Sequence, residues 1–446
     1  VFNMKDLTKG NPMVLILQFA IPIGLGNIFQ LFYSLADTRI IGSYLGETAL
    51  AAVGSTNSLN SMIIGFLMGM TNGFAIVVAR RFGAKKEEEL KNAVGLTFLL
   101  GIFTSLFLTC LSVFFLKDIL SFLNTPDNLI EDAADYFQIV LLGMTFSMLY
   151  NVTSSILRSI GDTLTPLCFL IGSTICNIVL DLLFIRTFHA GVKGAALATV
   201  ISQLLSFLFC VIYMWIKYPI LRLQKQNFHI TRNAVKEMYS IGFSMGLMIC
   251  FINIGSVALQ TRINTFGDNI IVAHTAARKL SDFFMLPFSV LASAMATYCG
   301  QNLGAGEIKR IKQGIRSGLF IAFLWCAIVI LITYTIVPYL IYLVTGTHTK
   351  EIIDTASLYL RVDTLLYVIT AVIIIVRNAM QGIGDTITPI VSSAIELLAK
   401  LFIAILLTPK LGYLAIILAE PISWILMVIP LLIQIRTNPL LKEEHT

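Results

Sequence analysis

Asp37 closes a polar face that Gln30 and Tyr33 begin at spacings of three and four, in an otherwise apolar run. Asn177 and Asp181 form a second such pair, four apart, and Thr199 stands with Gln203 in the apolar run after it. A stripe of Ser147, Asn151 and Ser154 lies between them, at spacings that favour one helix face. Carboxylate, amide and hydroxyl oxygens suit a hard cation. Two carboxylates drawn together away from water would also repel and take up a proton. Asp37, Asn177, Asp181 and Thr199 are therefore the candidate set for H⁺ or Na⁺. Other readings remain open: Asp37 also fits an interfacial acid paired with Arg39, and the Ser147 stripe fits helix-packing glue. His189 and His274 read as surface or packing histidines, and the Asn151-Val152-Thr153 sequon lies inside an apolar run.

The elements that position these residues are set by composition. Of the 446 residues, 57% are hydrophobic and 13% charged, with a mean hydropathy of +0.85. That leaves too little polar surface for a water-soluble globule, which carries about 25% charged residues. Runs long enough to span hydrocarbon recur near 13–37, 50–79, 92–116, 130–156, 164–185, 194–216, 237–261, 272–298, 316–344, 354–376, 387–407 and 412–435. The fold expected is an all-α polytopic membrane protein of twelve helices in two parallel, pseudo-symmetric six-helix bundles. With the amino end inside, twenty basic residues fall on the inner side, Arg158 and Arg377 among them, and eight on the outer. The asymmetry puts both termini and the connector 217–236 in the cytoplasm. No cleavable leader is read ahead of the first run, and the boundaries expected are 1–216, 217–236 and 237–446.

The basic residues sit in short connectors without aromatic interleaving, which excludes a nucleic-acid face. Seven cysteines without a CxxC pair read as small core residues. There is no HExxH, nucleophile elbow or Ser/Lys pair, so no enzyme is read.

Leu157-Arg-Ser-Ile-Gly-Asp-Thr-Leu-Thr-Pro166 returns as Met380-Gln-Gly-Ile-Gly-Asp-Thr-Ile-Thr-Pro389, 223 residues later. The same offset lays Asp37-Thr-Arg-Ile40 on Gln260-Thr-Arg-Ile263, and a neighbouring one lays Gly83-Ala84 on Gly304-Ala305. The order of matches signals duplication. At this offset Asp37 faces Gln260, Asn177 faces Lys400, Asp181 faces Ala404 and Thr199 faces Ile422. Chemistry is expected in the amino-terminal half alone, with Glu396 and Lys400 neutralising each other in the second.

The run Ala36-Asp37-Thr38-Arg39, then Gly46-Glu47-Thr48-Ala49-Leu50-Ala51-Ala52-Val53-Gly54, the two Gly-Asp-Thr-x-Thr-Pro turns and Asn177-x-x-x-Asp181 together resemble the multidrug and toxin extrusion (MATE) family. The resemblance covers the whole chain. It implies cation-coupled export of small amphiphilic or cationic molecules by alternating access, in a bacterial cytoplasmic membrane, by a monomer without a cofactor beyond the coupling ion. It further implies a cation site at Asp37, Asn177, Asp181 and Thr199, and a lobe cavity lined by Gln30, Tyr33, Tyr136, Asn151 and Ser154. A second branch of the family carries acids where this chain has Ile252 and Thr370, so that site is expected to be absent; Asp363 sits too early to replace it. A flippase of lipid-linked precursors from the wider superfamily is the alternative, and a channel is a further rival.

Overall fold

The computed structural model describes residues 4–122 and 125–442, and these form helices without strands. The first half runs α1 (Pro12–Leu45), α2 (Glu47–Ser55), α3 (Asn57–Gly83), α4 (Glu87–Phe114), α5 (Leu116–Phe122), α6 (Asp127–Leu142), α7 (Met144–Ser159), α8 (Leu164–Asp181) and α9 (Val192–Lys217). The second runs α10 (Arg232–Ile263), α11 (Asp268–Gly304), α12 (Ile308–Thr345), α13 (Lys350–Leu365), α14 (Tyr367–Gly382), α15 (Ile387–Phe402), α16 (Thr408–Leu411), α17 (Tyr413–Thr437) and α18 (Pro439–Lys442). Among the described residues ten helices are long and apolar enough to cross a membrane. Two bent pairs, α6–α7 at 46° and α13–α14 at 51°, bring the spans to twelve. Large apolar side chains such as Phe32, Leu35, Phe103 and Leu331 are exposed, as a surface solvated by lipid tails requires.

The duplication is legible in the backbone. The bent pairs begin and end 223 residues apart at all four boundaries. Positive φ recurs at Gly46 and Gly267, at Gly161 and Gly384, and at Gly191 and Gly412. A fourth pair is unequal: Gly306 takes φ +74° where the first half has Lys85 at +57°.

The Gly-Asp-Thr-x-Thr-Pro turn is a helix cap in both halves. Asp162 accepts from the Thr165 backbone N–H (3.0 Å) and hydroxyl (2.6 Å), and Asp385 accepts likewise from Thr388 (3.1 and 2.7 Å). Asp162 is buried and also accepts from the Tyr218 hydroxyl, which fastens the end of α9 to the start of α8. Burial, then the Asp162 carboxylate, push the Tyr218 phenol well above its ordinary value, so it stays a donor. Asp385 is only half-buried.

Two compact units emerge. One holds residues 1–7 and 21–246, the other 8–20 and 247–446. Their limits fall inside α1, next to Pro22, and inside α10, rather than at 216 and 237. The connector expected at 217–236 packs in the first unit, where the Asn227 amide donates to Asn92 (3.0 Å). Within that unit Gly69 and Gly73 of α3 meet Gly242 and Gly246 of α10. A Cβ on Gly73 would lie 2.6 Å from the Gly242 Cα, so only two small-xxx-small faces pack this closely.

Candidate cation site

Asp37 lies on α1, Asn177 and Asp181 on the last turns of α8, and Thr199 on α9. The structure brings the four together inside the first unit. The Asn177 side-chain nitrogen lies 2.7 Å from the Tyr33 hydroxyl, 3.4 Å from Thr199 Oγ1 and 3.2 Å from Ser202 Oγ. Asn177 and Asp181 are buried, Asp37 half-buried. The Asp37 and Asp181 carboxyls come within hydrogen-bonding reach of each other. Neither supplies a donor unless one is protonated. Asp37 Oδ1, Asn177 Oδ1 and both Asp181 oxygens are thus buried without a hydrogen-bond partner among the described residues.

Four orphan oxygens are costly unless something positive joins them, since a buried acceptor without a donor forfeits about 1–3 kcal/mol. They are the hard donor set that a proton or Na⁺ needs. Immediately after Asp181 the helix widens into a π segment, Leu182–Thr187, a distortion frequent at functional sites. Ile185 of that segment packs with Ile41, Val53 and Ala195 into an apolar floor beside the acids, against which Tyr136 rests. Arg39 is exposed and pairs with nothing among the described residues, so the structure does not hold Asp37 as one half of an interfacial ion pair.

The cavity residues separate into two places. Gln30, Asn151 and Ser154 line a cavity of about 90 Å³, with Asn27, Tyr150 and Arg158. Tyr33 belongs instead to the Asn177 amide, and Tyr136 to the floor under the acids. The sequence pattern points to Gln203 beside Thr199 and misses Ser202, three residues from Thr199 and fully buried. A cavity of that volume is below the roughly 300–1,000 Å³ of drug-sized sites.

The second unit is not chemically silent. Lys400 pairs with Glu396 (2.8 Å), as their spacing implies, and also with Glu420 of α17 (3.1 Å). Arg278 of α11 lies 3.7 Å from Glu420 and 3.6 Å from Asp282. Gly255 of α10 lets the Lys400 stem pass, since a Cβ there would lie 2.9 Å from its Cδ. Asp363 is fully buried at the end of α13, with no donor to either oxygen among the described residues. His274 is a packing histidine, as expected, bonded to the Tyr413 hydroxyl at 3.0 Å.

A family model described as MatE matches residues 22–183 and again 244–406, once per half. A probable multidrug resistance protein of Bacillus subtilis, YpnP, is 32% identical over 69% of this chain and 68% of its own. Another from that organism, YoeA, is 29% identical over 71% and 70%. The multidrug export protein MepA of Staphylococcus aureus is 22% identical over 85% and 84%. A crystal structure of MATE in the bent conformation superposes with a TM-score of 0.90, at 24% identity, over 97% of each chain. An outward-facing multidrug resistance MATE family transporter gives 0.87 over 98% of each, also at 24% identity. Two family matches on the two halves of a twelve-span helical fold, with relatives named as exporters and not as enzymes, place this chain in the MatE family of multi-pass membrane transporters.

Proposed function

We propose that this protein is an antiporter that exports small amphiphilic or cationic molecules in exchange for H⁺ or Na⁺ taken up at Asp37, Asn177, Asp181 and Thr199. The observation that carries the reading is the group of buried oxygens on Asp37, Asn177 and Asp181 with no donor among them. An acidic site without a base is stable only when a cation occupies it, which makes occupancy and conformation interdependent. Loading would draw α1 toward α8 through Asp37 and Asp181, and release would relax it, so the cation gradient can drive alternating access. The relatives' names as multidrug resistance and export proteins support the substrate class. A cytoplasmic position for both termini fits the distribution of basic residues, and a monomer in the bacterial cytoplasmic membrane is what the resemblance to the family implies.

The test is efflux of a fluorescent lipophilic cation from proteoliposomes under separate proton and Na⁺ gradients. Asp37→Asn and Asp181→Asn should each cut gradient-driven efflux about tenfold or more, as loss of one ~1.4 kcal/mol coupling interaction suffices to do. Coupled efflux that survives unchanged in both variants refutes the site.

A further inference from the structure

A second polar cavity, of about 190 Å³, lies wholly in the second unit among α10, α11, α14, α15 and α17. Three bases and three acids line it. The acids are all taken: Glu396 by Lys400, Glu420 by Lys400 and Arg278, and Asp282 by Arg278. Arg278 and Lys400 are satisfied by the same contacts, and Arg278 also donates to Tyr359 (3.4 Å). The remaining base is Arg377 on α14. It is 7% exposed, faces the cavity, and keeps Nε and Nη1 buried with no acceptor among the described residues. Glu396 attracts it, but that carboxylate is committed at 2.8 Å to Lys400.

Arg377 was counted in the sequence among the bases at the inner membrane end; the structure instead continues α14 to Gly382 and buries Arg377 in the bundle. At the offset of 223 it stands where the first half has Ser154, whose hydroxyl is likewise buried without a partner in the 90 Å³ cavity. The same helix position thus faces a cavity in each lobe, carrying a hydroxyl in one and a full positive charge in the other.

A buried guanidinium has five N–H donors and no way to shed its charge. Left without an acceptor it costs more than a neutral donor would. We infer that Arg377 forms an oxyanion subsite in the second lobe, taking the carboxylate or phosphate group of a small amphiphilic molecule. The wall beside it is apolar, built from Ile252, Met285, Ile373, Ile374 and Trp424, so the anionic group arrives with an apolar body attached. The subsite does not depend on cation uptake at Asp37, and its test reads binding alone.

The purified full chain in detergent is titrated with sodium benzoate and with inorganic phosphate at constant ionic strength, against chloride. Trp215 and Trp325 are replaced by Phe, so that Trp424 on the cavity wall is the remaining fluorophore of three. Expected is a saturable change in Trp424 fluorescence. Arg377→Gln should weaken it about tenfold or more, the size of a lost charge-assisted hydrogen bond, and Arg377→Lys should recover part of it. Ile374→Phe, which fills the space without touching the charge, should abolish it while leaving the melting temperature near that of the parent. Dioctanoyl phosphatidic acid, titrated below its micellar concentration, separates the sources. Tighter binding than phosphate supports a lipid headgroup as occupant, and equal or weaker binding supports a soluble anion. No saturable signal from any of the three probes, or equal affinity in Arg377→Gln, overturns the subsite.

Discussion

The two lobes share a scaffold to the residue at several turns, yet they handle buried charge in opposite ways. In the first, Asp37 and Asp181 meet with no base beside them, and their oxygens go without donors. In the second, Glu396, Glu420 and Asp282 are tied to Lys400 and Arg278 in a chain of ion pairs. An unpaired acid cluster can take up a mobile cation. A paired cluster is held by its own bases and has less to gain from one. Duplication preserved the caps and bends, which serve the helices, and let the charges diverge, because a charge serves only the site around it.

The largest stability difference between the lobes should come from removing one side of each arrangement. Lys400→Met leaves Glu396 buried without its ion pair and Glu420 with Arg278 alone, and should cost about 3–5 kcal/mol, as breaking one side of a buried ion pair does. Asp181→Asn removes a charge that nothing balances, so the melting temperature of the detergent-solubilised protein should hold or rise. Equal losses in both variants would erase the contrast. The caps come next. Asp162→Ala strips a buried cap and orphans the Tyr218 hydroxyl, for about 2–3 kcal/mol, whereas Asp385→Ala loses a half-exposed cap for ~1 kcal/mol. Thermal melts of the two variants side by side decide it, and equal shifts would deny Tyr218 its part. The smallest effect is at the unequal turn. Lys85→Gly should stabilise by about 0.5 kcal/mol, the left-handed strain of a side chain less the entropy cost of glycine. Gly306→Ala should move the melting temperature the other way.

Much of this could be read from the residues. The first-lobe site was legible because each helix announces its own part: Tyr33 and Asp37 share a face of one apolar run, Asn177 and Asp181 another, and a charge inside such a run stands out. The caps were legible because the turn is written twice. The second-lobe cluster was not. Arg278, Asp282, Arg377, Glu396, Lys400 and Glu420 come from four helices, and only their packing joins them. Glu420 faces Leu197 in the repeat and shows no partner in the chain until α17 lies on α15. Arg377 was missed for a different reason. A base next to the end of an apolar run looks like an interfacial anchor until the helix is seen to continue past it. The limits of the compact units are not legible either, since helix continuity in α1 and α10 hides the point at which each changes packing partners.

Residues 8–20 are synthesised early, but the unit they pack in otherwise begins at residue 247. At about 5–20 residues per second, the opening of α1 waits on the order of ten to forty-five seconds for its neighbours. Its continuation from residue 21 packs instead in the first lobe, whose last residue is 246. A cut between 216 and 217 would therefore yield two fragments that each lack a piece held by the other. The natural seam for expressing the halves separately lies within helices, where no connector marks it.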